Sequence, residues 1–375
     1  MANPQPEECH WSTLREMVKL QLPSPFWDVN THQACIHNEE RAMRNRVIAT
    51  TPKPDVLMVR RVGDTAKKLL DMVREHVVTY PGMDELIADF PTSRRARYKQ
   101  ALTKQRAENL TQSGGRVSAF VKAEKLKIKE KDGDPRMIQA RSTHFNLMFA
   151  QYTKAMEHAL YSLRDPALIG ILDVPFIAKG RNLTQRAQDL RRLWDLMDDP
   201  IAMSLDLSRW DMHVVKAMFE EVMHPAYKSL ISEPLLEFLL SMQVDNKCST
   251  KNGLKYTNPA GVTSGDMTTA LGNCTVVVAI VTDYRTILVE VACSLVEKRP
   301  PNLKMSESMQ KLVQKMVQSL LKLNEQLLAA INELSILFYD DGDDHVMIVR
   351  KFLYKVLEET LPLYWKLLGH ELKVE

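Results

Sequence analysis

With 375 residues, 45% of them apolar and 26% charged, the chain can bury a large core and form two or more subdomains, which excludes a disordered or purely fibrous protein. A net charge of +3 and a pI near 8.4 are too mild to define a partner, so a case for nucleic acid has to rest on where the charge lies. Five scattered cysteines, Cys9, Cys35, Cys248, Cys274 and Cys293, never in Cys-x-x-Cys spacing, speak against a disulfide framework or a zinc site and fit a reducing, intracellular compartment.

The opening "MANPQPEECHW" lacks the basic n-region and apolar core of a signal peptide. To about Asp199 the chain alternates helical patterns such as "DTAKKLLDMVREHVV" with the breaks "TTPKPD" and "TYPGMD", and it reads as mostly α. Within this part "FPTSRRARYKQALTKQRAENL" predicts a strongly basic helix. "SGGRVSAFVKAEKLKIKEKDGDPRMIQARS" predicts a lysine-rich hairpin turning at "KDGD". Taken alone, each is an ordinary solvated face; each gains weight only beside an acidic centre.

From Ile201 the texture changes. "IAMSLDLSRWD" predicts a strand and a turn, "HVVKAMFEEVM" a helix, and "GVTSGDMTTALGNCTVVVAIVTDY" a loop leading into a helix. The most apolar stretch, "CTVVVAIVTDYRTILVEVACSLV", is broken by Asp283 and Arg285, so no transmembrane helix is expected. After the breaker "KRPPN", "SESMQKLVQKMVQSLLKLNEQLLAAINEL" predicts one amphipathic helix with Met309, Leu312, Val313, Met316, Val317, Leu320, Leu327, Leu328 and Ile331 on its apolar stripe. "ILFYDDGDDHVMIV" then predicts a hairpin of two buried strands. The order of strand, helix and hairpin makes the fold class α+β.

That hairpin crowds four aspartates around one glycine. Carboxylates so close raise one another's pKa, a cost a divalent cation would offset. Asp206 ends the strand pattern "AMSLD", which would put its side chain at the sheet edge, and Asp343 and Asp344 sit at the hairpin turn. Brought together, the three form a cage suited to the two ions, about 3.5 to 4 Å apart, that phosphoryl transfer uses. An oxygen-only donor set points to Mg²⁺ or Mn²⁺ rather than zinc. A lone Asp206 is also an ordinary strand-end cap, and an acidic turn can be merely solvated. An EF-hand fits poorly, because its flanks are helices and these alternate like strands.

"SLDLSRWD", "TSGDMTTALGN" and "DDGDDHVMIV", in this order and preceded by "FVKAEK…PRMIQARS", resemble motifs A, B, C and F of viral RNA-dependent RNA polymerases, with the tombusvirus-like group of positive-strand RNA viruses the nearest match. The resemblance spans roughly residues 81–375. It implies a right-hand polymerase fold: an N-terminal extension and fingers over residues 1–200, palm motif A at 201–215, a fingers segment at 216–262, and palm motifs B to D at 263–375, interrupted by a helical insertion at about 297–334. The palm would be an antiparallel sheet backed by helices.

Residue by residue, the resemblance implies that Asp206 and Asp343 are the principal metal ligands, with Asp344 supporting. Asp211, Ser264, Thr269 and Asn273 would recognise the ribose 2′-hydroxyl of the incoming nucleotide. Lys122 and Arg136 would meet its triphosphate, Lys125 and Arg141 would line the tunnel, and Gly265 and Gly272 would let the backbone approach the template. "LGHELKVE" resembles motif D, with Lys373 as general acid to pyrophosphate; a lysine there is also an ordinary surface charge. The implied partners are template and nascent RNA, ribonucleoside triphosphates and a viral accessory replication protein. The implied location is the host cytoplasm, at membrane-associated replication complexes.

This sequence departs from the family in two ways. Asp340 and Asp341 stand where relatives carry Asn-Asn, and they are expected to perturb metal affinity at most. "YDD" at 339–341 invites a reverse-transcriptase reading, but that motif needs one residue between the tyrosine and the aspartate pair. The family's motif E and thumb would follow residue 375, which suggests a fragment; a catalytically incomplete, RNA-binding piece of a polymerase therefore stands as a further alternative.

Overall fold

A computed structural model of the chain describes residues 14–18, 29–107, 112–126 and 133–374. Cys9 and the first half of the expected "KDGD" turn, Lys131 and Asp132, lie outside them. Ten strands occur among the described residues: β1 Leu14–Val18, β2 Val29–His32, β3 Val117–Val121, β4 Met137–Ala140, β5 Pro200–Leu207, β6 Asn246–Thr250, β7 Lys255–Asn258, β8 Ile336–Asp341, β9 Asp344–Arg350 and β10 Leu372–Val374. Together with the helices they make the chain α+β, as the pattern predicted.

The chain divides into two compact units, each drawn from three separate segments. One takes Met1–Thr50, Met83–Phe149 and Phe238–Thr269; the other takes Thr51–Gly82, Ala150–Glu237 and Ala270–Glu375. Residues 51–82 thus share a unit with the strands β5 and β8 to β10. The reason lies in packing. The helix Val56–Asp71 buries Met58, Val59, Val62 and Ala66, and its Gly63 lies so close to the Phe219–Met223 π-turn that a Cβ would stand 2.1 Å from the Glu221 carbonyl oxygen. Only glycine lets the two helical backbones meet there.

In this second unit the sheet runs β10-β5-β9-β8, every pair antiparallel. Alternation along the strands gives it two faces. Met203, Leu205, His345, Met347 and Phe338 are buried on one of them. The helix Tyr354–Leu367 supplies Trp365, whose ring lies 5.9 Å from that of His345. The other face is covered over β8 by Leu168, Val174, Leu193 and Met197, which pack on Leu337, Tyr339 and Ile348. The apolar stretch is the helix Thr269–Val296, buried nearly all round, and its two charges are paired: Asp283 accepts from Arg61 (2.7 Å) and Tyr364 (2.9 Å), and Arg285 grips Asp165 through two bonds of 2.7 and 2.6 Å. Among the described residues no helix is long and apolar enough to cross a membrane.

The single amphipathic helix expected after "KRPPN" is two. Glu307–Leu320 is capped by Ser306 and Glu325–Ala329 by Asn324, each cap accepting from a backbone N–H three residues on. The cap at Asn324 starts a new helix and so ends the continuous stripe. Met309, Leu312, Val313, Met316 and Leu320 are buried, and Ser319, Lys315 and Lys322 all bond Glu359 of the helix Tyr354–Leu367 at 2.6 to 3.0 Å. The expected insertion is thus part of the unit's own packing.

The first unit holds a mixed sheet, β4-β3-β6-β7, in which β3 and β6 run parallel and the other pairs antiparallel. β3 and β4 are the arms of the expected lysine-rich hairpin. The basic helix forms as predicted over Thr92–Ala107; Tyr98 stacks on Phe90 at 4.3 Å between ring centroids, Arg95 donates to the Phe90 carbonyl and Arg97 to Thr143, both at 2.7 Å.

Candidate active site

The β8–β9 hairpin turns over two residues, Gly342 and Asp343, between the paired Asp341 and Asp344. Gly342 has φ of +92°, a left-handed conformation that a side chain would strain, which accounts for glycine between the aspartates. Across the sheet Asp344 is directly opposite Asp206 on β5, and Asp206 is directly opposite Lys373 on β10. One row on one face therefore reads Lys373, Asp206, Asp344, Asp341. Asp206 is on an inner strand rather than at the sheet edge that the sequence suggested, because β10 pairs along its outer side.

Asp206, Asp343, Asp344 and Lys373 are exposed to solvent. Desolvation, and after it the charges of Asp343, Asp341 and Asp206, raise the pKa of Asp344 against the opposing charge of Lys179. A cation would relieve that repulsion, and an all-oxygen donor set suits Mg²⁺ or Mn²⁺. The expected closed cage is not preformed: among the described residues no three His, Cys, Asp or Glu side chains converge closely enough to hold an ion. The carboxylates share a row, fixed by strand register, and exposed side chains can close on an ion by rotation.

The two extra aspartates differ sharply. Asp341, half-buried, accepts from Lys179 at 2.8 Å and from Arg186 at 2.7 Å. Asp340 points to the opposite face beside His345 and is fully buried. Burial pushes its pKa well above the usual carboxylate range, against the Cys274 thiol and Gly342 amide that face it. Unfolding lets it ionise above about pH 3.9. Its contribution to stability is therefore present at low pH and lost as pH rises. The melting temperature of Asp340→Asn relative to the unsubstituted chain should accordingly increase as pH rises above about 4; a constant difference would mean that Asp340 keeps an ordinary carboxylate pKa in the fold.

Asp211 and Asn273 belong to the same unit as the row. Asp211 lies in the helical turn Trp210–His213, which follows Arg209 in a left-handed conformation. Asn273, near the start of the helix Thr269–Val296, is buried with no hydrogen-bond partner for Oδ1 among the described residues, and its Cβ lies 3.5 Å from where a side chain on Gly342 would begin. At Gly272 a Cβ would sit 3.0 Å from Met223 Sδ, so glycine there lets the helix pack closely.

The remaining expected residues belong to the first unit. Lys122 and Arg136 meet where the hairpin strands end, their backbones joined by a 2.8 Å bond and their side chains on Glu124 at 3.0 and 3.6 Å; Lys125 is exposed. Ser264 accepts from the Gln139 amide at 3.3 Å, and Thr269 donates its proton to the Thr263 and Asp266 carbonyls at 3.0 and 2.9 Å. Arg141, expected in the tunnel, is buried within protein. Its side chain is 0% exposed and bonds Asp266 at 2.7 Å, Asn246 at 2.7 Å and the Gly115 carbonyl, with Phe145 beneath the guanidinium.

Gly265 is closely approached by protein backbone. Its amide donates to the Gln139 carbonyl at 2.8 Å, its carbonyl accepts from Asn146 at 3.0 Å, and a Cβ would lie 2.9 Å from both Ala140 Cα and that carbonyl oxygen. Backbone atoms cannot swing aside as a side chain can. Gly265→Ala should cost about 1–3 kcal/mol in a thermal or urea melt, the usual scale of overpacking, and an unchanged melt would show that the loop yields freely.

Sequence reasoning missed Lys179, Arg186 and Asp266. Nothing in local spacing marks the first two, because their partner lies far along the chain; Asp266 could have been suspected from its place inside "TSGDMTT", where a buried carboxylate can bind loop hydroxyls and amides.

The acidic row and its glycine hairpin lie in one unit and the basic β-hairpin in the other. The family described as viral RNA dependent RNA polymerase matches residues 5–298, and the chain belongs to it. Within it the chain is similar to tombusvirus-like polymerases. It is 32% identical over 269 residues to the RNA-directed RNA polymerase of Groundnut rosette virus (strain MC1), covering 70% of this chain and 31% of that one. It is 27% identical over 357 residues to that of Tomato bushy stunt virus (strain Cherry), covering 92% and 37%, and 30% identical over 236 residues to that of Carnation mottle virus, covering 62% and 30%. The chain spans about a third of the length of these curated relatives.

Proposed function

We propose that the chain carries the fingers and palm of a right-hand polymerase and synthesises RNA from ribonucleoside triphosphates on a viral RNA template by two-metal-ion nucleotidyl transfer, serving genome replication. The observation that carries this reading is the register that sets Asp206 directly opposite Asp344, with Asp343 at the adjoining turn. Asp206, Asp343 and Asp344 would hold two Mg²⁺ or Mn²⁺ ions. When bound, such ions activate the attacking 3′-hydroxyl and offset charge on the departing pyrophosphate.

The chain's own residues would do the rest. Lys373, next in the row after Asp206, is positioned on its strand to give a proton to the leaving pyrophosphate. Asn273 offers a buried acceptor for a ribose hydroxyl beside the hairpin turn, which favours ribonucleotides over the deoxynucleotides of a reverse transcriptase. Lys122, Arg136 and Lys125 are cations for triphosphate and RNA phosphates, and the Glu124 carboxylate holds the first two until an anion competes. Work in the host cytoplasm, at membrane-associated replication complexes and with a viral accessory protein, follows from the family resemblance.

Template-dependent ribonucleotide incorporation by the purified chain, with Mg²⁺ or Mn²⁺, tests the proposal. Incorporation that vanishes in an Asp343→Ala control supports it. RNA binding without incorporation, under conditions where a polymerase of the same family is active, would favour a catalytically incomplete RNA-binding piece.

A further inference from the structure

Asp341 has no part in the roles assigned above, yet by register it is as close a neighbour of Asp344 as Asp206 is, on β8 instead of β5. Its surroundings set it apart. Lys179 Nζ lies 2.8 Å from Oδ1; Arg186 Nη1 lies 2.7 Å from Oδ2 and Nη2 3.4 Å from Oδ1. The side chains of all three residues are only 30–31% exposed, so these pairs escape much of the screening that weakens surface salt bridges.

Neither cation is loosely held. Lys179 follows a segment bonded to the outer side of β8, where the Ala178 amide donates to the Asp340 carbonyl at 2.6 Å and the Asp340 amide to the Phe176 carbonyl at 3.0 Å. Arg186 is on the helix Leu183–Asp195, whose start is fixed by an Asn182–Gln185 capping box. One turn further on, Asp189 ties the same helix to β8, accepting from Tyr339 at 2.9 Å and from the Arg181 fork at 2.9 and 2.8 Å.

The geometry points to Lys179 and Arg186 as positioning residues that keep Asp341 out of the metal-binding set, leaving Asp206, Asp343 and Asp344 to meet the ions. This rests on the polymerase reading of the row. To turn toward a metal ion, Asp341 would have to give up charge-assisted hydrogen bonds to two cations, which are stronger than neutral ones. Without those cations a fourth carboxylate is released to join the metal-binding set. It adds charge and a further donor, and so tightens ion binding while drawing an ion toward β8 and away from the geometry that two-metal chemistry needs.

The test uses the full chain in four forms: unsubstituted, Lys179→Ala/Arg186→Ala, Asp341→Asn, and the combination of all three. Free Mn²⁺ is followed by electron paramagnetic resonance without nucleotide, and incorporation is followed against Mg²⁺ concentration. The double variant should bind Mn²⁺ at least about threefold more tightly, the direction in which added ligand charge moves a site, and incorporate more slowly. Adding Asp341→Asn should return both towards the unsubstituted values.

Unchanged Mn²⁺ affinity in the double variant, or no restoration by Asp341→Asn, would overturn the proposal and turn attention to a direct action of the two cations on substrate. Asp341→Asn alone provides a check that does not depend on the double variant's folding. It should keep Mn²⁺ affinity within about twofold, because no carboxylate is unmasked, and clearly weaker binding would make Asp341 a ligand and refute the idea. Incorporation insensitive to Asp343→Ala would instead sink the polymerase reading, leaving the Mn²⁺ comparison to be judged on its own.

Discussion

Asp343→Asn is expected to lower RNA synthesis by at least about 10²–10³-fold, the scale on which removing one preorganised electrostatic contact to a transition state raises the barrier by about 3–4 kcal/mol. Asp343 is at the exposed tip of the hairpin, and its neighbour Asp344 already feels the charges of Asp343 and Asp206. Asparagine keeps the size and removes the charge, so ion binding suffers with little change in the turn. Asp340→Asn should change the rate by less than about threefold, because Asp340 is buried on the opposite face, where burial favours its uncharged form, and asparagine is nearly isosteric with it. Single-nucleotide extension of a primed template under saturating Mg²⁺ measures both. The opposite ranking would move the catalytic pair to 340 and 341 and undo the assignment of Asp206 as their partner.

The second large effect is on stability. Arg141→Ala should destabilise the first unit by about 3–5 kcal/mol, the cost of breaking a buried ion pair by removing one partner. Asp266 would be left 2% exposed and facing no guanidinium, with Asn246 and the Gly115 carbonyl also losing a donor. Removing Asp266 as well should recover part of the loss, because the penalty comes from the orphaned charge more than from the missing attraction. Urea unfolding of the single and double variants would display this coupling. A variant with unchanged unfolding but weakened RNA affinity would return Arg141 to the tunnel.

These two residues illustrate what could be read from the sequence. Asp343 was legible because glycine between aspartates, flanked by alternating apolar residues, identifies a turn whatever surrounds it. That Asp206 stands opposite the neighbouring Asp344 could not be read from local spacing, since register between distant strands leaves no local trace. The surroundings of Arg141 left no trace for the same reason. The resemblance set it in the tunnel, and only the tertiary structure reveals that Asp266 and Asn246, far along the chain, bond its guanidinium. Elements with strong local signals, the basic helix and the acidic hairpin, came out with their expected type. The amphipathic stretch after "KRPPN" did not, because Asn324 acts as a cap only when the chain has a reason to turn there. Lys179 and Arg186 carried no signal at all.

The short strand β10 has a bearing on handling this protein that goes beyond its lysine. Its three residues occupy the outer side of β5 beside Asp206. A recombinant version cut upstream of Leu372 would turn β5 into an edge, with unpaired backbone groups at the most acidic part of the sheet. Such an edge invites strands from other molecules, and the same acidic side chains would oppose that pairing only while they remain charged. Loss of the last few residues would then first appear as aggregation that worsens when acid or excess divalent ion quiets the repulsion, and an assay reporting only lost activity would mistake self-association for damaged chemistry.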